Sequence, residues 1–235
     1  MKTQTKQLRV KEGKTELTEL TVDHKGEDIT FIYPALGPNS YVNVEQQIEQ
    51  AELKKSTMAE TASLVHTAFN SDDKYSLEIK KIIKEKWLWA FTGVLYVPNK
   101  GAYIQDNPEI KKEMLFMNES DLVKRLEAND KSVRFTPFGF KTESMSSSEL
   151  AKNEFVIALA GEEGAERLAE TSDKFKEQPF LGSFKSVDET LTRVSALGSS
   201  WFSDYGLDVG GDHGYRLGYS FGYASQKSST GNKAQ

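Results

Sequence analysis

The chain contains no cysteine. That absence excludes disulfide staples, thiolate nucleophiles and cysteine-ligated zinc together. It also makes the cytoplasm the default expectation for location. Histidine is scarce, with His24, His66 and His213 far apart in the chain, so a three-histidine zinc centre is disfavoured. No apolar run reaches the length of a membrane span. Residues 1–14 are polar and charged, without the apolar segment of a secretory leader. A basic excess is missing as well: 30 Lys and Arg face 35 Asp and Glu, for a net charge of -5. General nucleic-acid binding is therefore not expected, because it needs a positive field to reach phosphate. Neither a Gly-x-Ser-x-Gly elbow nor a His-Glu-x-x-His helix occurs.

Aromatic residues are plentiful, with 13 Phe, 9 Tyr and 3 Trp among 235 residues, enough to build a folded core. The most regular stretch is 214–223, Gly-Tyr-Arg-Leu-Gly-Tyr-Ser-Phe-Gly-Tyr. Side chains alternate across a strand. An extended ribbon here puts Tyr215, Leu217, Tyr219, Phe221 and Tyr223 on one face, and Gly214, Arg216, Gly218, Ser220 and Gly222 on the other. The glycines would let another element approach closely.

Upstream, 8–11, 14–22 and 28–33 read as a small antiparallel meander. Pro34, Gly37 and Pro38 end it in a loop. Thr57-Met58-Ala59-Glu60 fits a capping box, with Met58, Ala62, Val65 and Phe69 on one helical face behind it. Helices are expected over 44–53, 74–86, 121–127 and 162–174, with another start at Ser146 and Glu149. Residues 94–97 and 102–105 read as hairpin arms around Pro98-Asn99-Lys100-Gly101. The apolar run 155–160 reads as a central strand closed by Gly161. Further strands are expected at 180–187 and 190–197, and a Gly- and Asp-rich loop at 198–213. Interleaved strands and helices without strict alternation predict an α+β fold. One domain over 1–224 is expected, with an antiparallel or mixed sheet, the 214–223 strand near its centre, and a disordered polar tail at 225–235.

Two functional readings follow. The first is a non-enzymatic binding or assembly module using an exposed aromatic surface or a sheet edge, with Tyr215, Tyr219, Tyr223 and Arg216 as ligand-binding candidates. Residues 216–221 are similar in outline to the RNP1 pattern of RNA-recognition sheets, but Leu217 sits among the rings and the chain is acidic, so this match is set aside. A protein partner or self-association fits this reading. The second is a metal-dependent or hydrolase-like enzyme built on Asp204, Asp208, Asp212 and His213, where a divalent cation would be the one cofactor. Glycine and aspartate are also ordinary turn residues. Residues 160–164 lie where phosphate loops occur, but Glu162 and Glu163 would repel a phosphate. Trp87, Trp89, Phe91, Tyr96 and Tyr103 read as core, or as the lining of an apolar pocket.

Overall fold

The computed structural model describes residues 8–13, 17–199, 206–214 and 217–224. Asp204, Tyr215, Arg216 and the tail 225–235 lie outside them. The N-terminal part carries β1 (Arg9–Glu12), β2 (Thr18–His24), β3 (Glu27–Tyr33), β4 (Leu36–Asn39), α1 (Tyr41–Gln50) and β5 (Lys54–Lys55). Next come α2 (Met58–Phe69), α3 (Lys74–Glu85), β6 (Leu88–Val97), β7 (Gly101–Asp106), β8 (Glu109–Lys111), β9 (Met114–Phe116), α4 (Glu119–Glu127) and β10 (Val133–Pro137). The rest is β11 (Glu143–Ser144), α5 (Ser147–Lys152), α6 (Glu154–Ser172), β12 (Phe180–Gly182), β13 (Leu191–Gly198), β14 (Asp208–His213), β15 (Gly218–Ser220) and β16 (Gly222–Tyr223).

The fold is α+β, as the interleaving predicts. The larger, mixed sheet runs β10-β7-β6-β13-β14-β12-β11, with β15 and β4 attached beside β6. The smaller runs β1-β2-β3-β16-β5 and contains the expected antiparallel meander. The main core lies where α2, α5 and α6 cover one face of the large sheet, with Leu88, Ala90, Tyr96, Leu181, Leu197 and Val209 pointing into it. A second core on the opposite face gathers Tyr41, Val44 and Ile48 from α1 against Trp89, Phe91, Val194 and Ala196. Thus Trp89, Phe91, Tyr96 and Tyr103 are core residues, divided between the two faces because strand neighbours alternate.

Local signals explain several helices. The Thr57 side chain accepts from the Glu60 amide, and Glu60 Oε2 accepts from the Thr57 amide at 2.7 Å. Ser146 and Glu149 repeat the arrangement at α5. Replacing Thr57 with alanine should cost about 1 kcal/mol of stability, read as a lower urea midpoint with an unchanged slope.

The loop expected at Pro34, Gly37 and Pro38 holds β4, which pairs with β15, and three larger expectations change. Residues 155–160 form the first half of α6, not a strand. Asn153 caps that helix by accepting from the amides of Phe155 and Val156. Helix and sheet surround the segment, so a run apolar on nearly every side is as helical as it is extended. Gly161, at φ 75 and ψ 167, is the kink between the two halves of α6, so 160–164 is a helix joint and not a strand-to-helix turn. The predicted loop 198–213 contains β14. Its glycines serve space and not turn geometry: a Cβ on Gly211 would meet the tip of Phe155 at 2.6 Å.

The 214–223 ribbon is the third. Within the described residues it is two short strands in different sheets. β15 pairs with β4 and β6, while β16 lies between β3 and β5 inside the small sheet. The break falls at Phe221, 2% exposed, whose carbonyl accepts from Ser56 Oγ at 2.8 Å. The rings therefore do not form one slab. Leu217 is 66% exposed, and Tyr219 and Tyr223 are half-buried. The glycine face behaves as expected: Gly218 lies under the Trp89 indole, 2.6 Å from where a Cβ would stand, and Gly222 packs on Leu53.

Candidate functional site

β14 runs between β13 and β12, antiparallel to the first and parallel to the second. Asp208 stands opposite Gly198 on β13 and Phe180 on β12; Gly210 stands opposite Ala196 and Gly182. The pairing with β13 slips between Val194 and Ala196, so that His213 faces Val194. Such a bulge sends successive side chains to one side. The imidazole of His213 lies over Gly210, its Nε2 2.0 Å from an ideal Cβ position there. The carboxylate of Asp212 lies over Gly182, with Oδ1 2.7 Å from the corresponding position. Because the two glycines are directly opposed, carboxylate and imidazole are neighbours on one face of the sheet. Trp87 completes the group. Its ring fills the space over Gly198 and its centroid is 4.0 Å from that of His213.

The structure thus brings together three of the four acidic-strand candidates, Asp208, Asp212 and His213. Asp208 is 5% exposed. Its Oδ1 has no hydrogen-bond partner among the described residues. Burial, followed by the negative charge of Asp212, pushes its carboxyl up to about 7. Among the described residues, no three His, Asp or Glu side chains come together as a metal site. These residues stand close together in the sequence, where their segment reads as part of the 198–213 loop. Nothing local marks Trp87 as their neighbour, a contact made only by strand pairing across β13.

The tyrosine candidates are dispersed. Tyr223 donates to Glu60 Oε1 at 2.8 Å and so anchors β16 to the capping box of α2. Burial and Glu60 raise its phenol above the ordinary tyrosine value. Tyr219 borders a shallow groove of about 460 Å³ with Leu77, Glu78, Lys81, Ile82, Glu85 and Lys86. The charges lining it are mixed, and among the described residues Tyr219 is its one ring.

The remaining histidines are structural. His66 lies at the core edge, bonded through Nε2 to Glu170 at 2.7 Å, and burial lowers its pKa. His24 Nδ1 is 2.8 Å from Ser63 Oγ, the geometry of a nucleophile and its base. Proton accounting removes that reading. Ser63 donates its one hydroxyl proton to the Ala59 carbonyl at 3.0 Å, so the imidazole must be the donor to Oγ. Ser63 is also fully buried within α2.

No helix among the described residues is long and apolar enough to cross a membrane. Compared with protein-family models, curated proteins and solved structures, the chain matches none.

Proposed function

We propose that the protein is a non-enzymatic binding module that holds a small ligand on the β14 face, among Asp208, Asp212, His213 and Trp87. The observation that carries this reading is the Asp208 carboxyl oxygen, buried on that face without a partner among the described residues. An unpaired buried polar atom costs about 1–3 kcal/mol. A ligand donor placed there recovers that cost, whereas a purely structural strand would be served better by an apolar residue.

Assembly through a sheet edge has less support. β10 is an edge strand and Phe135 on it is exposed. Asp106 donates to the Ser132 carbonyl and Phe138 donates to the Lys100 carbonyl. That phase turns the backbone of Val133, Phe135 and Pro137 outward. Pro137 has no N–H, and the Val133 amide already donates to Asp130. Among the described residues the edge is left with one free donor, at Phe135, which is how an edge is protected from pairing.

A ligand-observed NMR screen of small fragments tests the binding reading. Hits should weaken at least about tenfold in Gly210→Ala, whose new methyl displaces the His213 ring, and in Asp208→Asn. Hits indifferent to both changes would place binding elsewhere and end the proposal.

Acid–base catalysis at the same face is the second reading. It is favoured by the Asp208 carboxyl poised at about 7 beside a histidine. Turnover of a bound compound that disappears in Asp208→Asn would establish it over simple binding. A cytoplasmic location fits a cysteine-free chain under either reading.

A further inference from the structure

We propose that the ligand of the β14 face is a small organic cation, an ammonium or guanidinium compound seated against the carboxylates of Asp208 and Asp212 and the indole of Trp87. This rests on the binding reading above and adds the chemical class.

The electrostatics choose the sign. Asp208 and Asp212 are near enough for the charge of one to act on the other, and among the described residues no Lys or Arg forms an ion pair with either. Like charges brought together on a half-buried face call for a cation between them. The empty acceptor on Asp208 calls for an N–H donor or a positive centre in the same place. Trp87, half-buried over Gly198, supplies a ring face, and indole is the aromatic surface that attracts cations best.

The same geometry disfavours a metal. Hard divalent ions want about six or more oxygen ligands, and two carboxylates and one imidazole do not form a metal-holding group here. Anions are repelled outright.

Occupancy should be coupled to protons. A bound cation favours the ionised form of Asp208, whose carboxyl is held at about 7 in the free protein. On its own strand it is faced by Asp212 and His213. The neighbouring strands present Gly198 and Ala196 from β13, Phe180 and Gly182 from β12, and Trp89 from β6, none of them charged; Trp87 and Lys86, just before β6, lie over Gly198, Lys86 through its carbonyl at 3.3 Å from the Cβ position. Affinity should rise about tenfold between pH 6 and pH 8 as the ionised fraction grows.

Calorimetry on the full chain, with choline and agmatine as probes and 3,3-dimethylbutan-1-ol as the uncharged analogue of choline, tests the assignment. At least one cation should bind, and Asp212→Asn should weaken it about tenfold or more. The uncharged analogue should bind at least about tenfold more weakly than choline if choline is the cation held. The pH dependence should vanish in Asp208→Asn. Equal binding of the analogue, or binding indifferent to Asp212→Asn, would overturn the proposal. If neither cation binds while fragment hits sensitive to Gly210→Ala exist, the cation assignment fails and the binding reading stands. If no such hits exist, both fail. Asp212 is partly exposed, and an unchanged melting temperature confirms that its variant is folded.

Discussion

Asp208→Asn should stabilise the protein at pH 8 by about 3 kcal/mol and leave it nearly unchanged at pH 4. The carboxyl sits at about 7 in the folded chain, against about 3.9 in an unfolded one. Between those values the folded state binds the extra proton, so its stability is complete below pH 4, falls as the pH rises from 4 to 7, and has lost the whole span above 7. The span is worth about 4 kcal/mol. Asparagine has nearly the same shape and never ionises, so the variant escapes this loss while still burying an amide. At about 2–4 °C per kcal/mol for a chain of this size, the melting temperature at pH 8 should rise by about 6–12 °C. Parallel stability–pH curves for the two proteins would show that the carboxyl is not held as described. A residue that weakens the fold at neutral pH, and sits where a ligand would use it, is the pattern of a site kept for function.

Gly101→Ala should be the more damaging change, costing about 3–5 kcal/mol. Gly101 begins β7 at φ +152, and a Cβ there would stand 2.2 Å from the Thr136 carbonyl oxygen and 2.7 Å from Pro137 Cα. Both obstacles are backbone of the paired strand β10, which cannot yield without breaking the edge of the large sheet. Gly139 supplies the control. It has φ +120 with nothing within 4 Å, so Gly139→Ala carries the backbone strain alone, about 1–2 kcal/mol. Comparable urea midpoints for the two variants would mean that the close approach of β10 is absent.

The parts of the fold legible in the sequence are those decided by neighbours in the chain. The capping boxes at Thr57 and Ser146 are four-residue signals. Ile79, Ile82 and Ile83 mark the buried side of α3, and Pro98 to Gly101 sets the β6–β7 hairpin. The failures share a cause. In 208–213 the glycines read as a turn because nothing local says that His213 and Phe155 occupy the room they leave. In 155–160 every residue is apolar, including the half-buried Ile157, so neither period could show. At 214–223 the alternation is real, but a change of sheet at Phe221 is a tertiary event. The candidate site was half visible for the same reason. Asp208, Asp212 and His213 are close in the chain, while Trp87 reaches them only across β13.

The last strands have a consequence for how the molecule is made. β15 fills a place beside β6 and β4, and β16 fills the gap between β3 and β5. A ribosome releases residues in order, and segments fold as they emerge. Until 218–223 has left the exit tunnel, the small sheet lacks an interior member and the Phe221 seat stands vacant. A nascent chain stalled before that point would carry an open groove on each sheet, inviting capture by a chaperone, and both would close together when the final ribbon arrives.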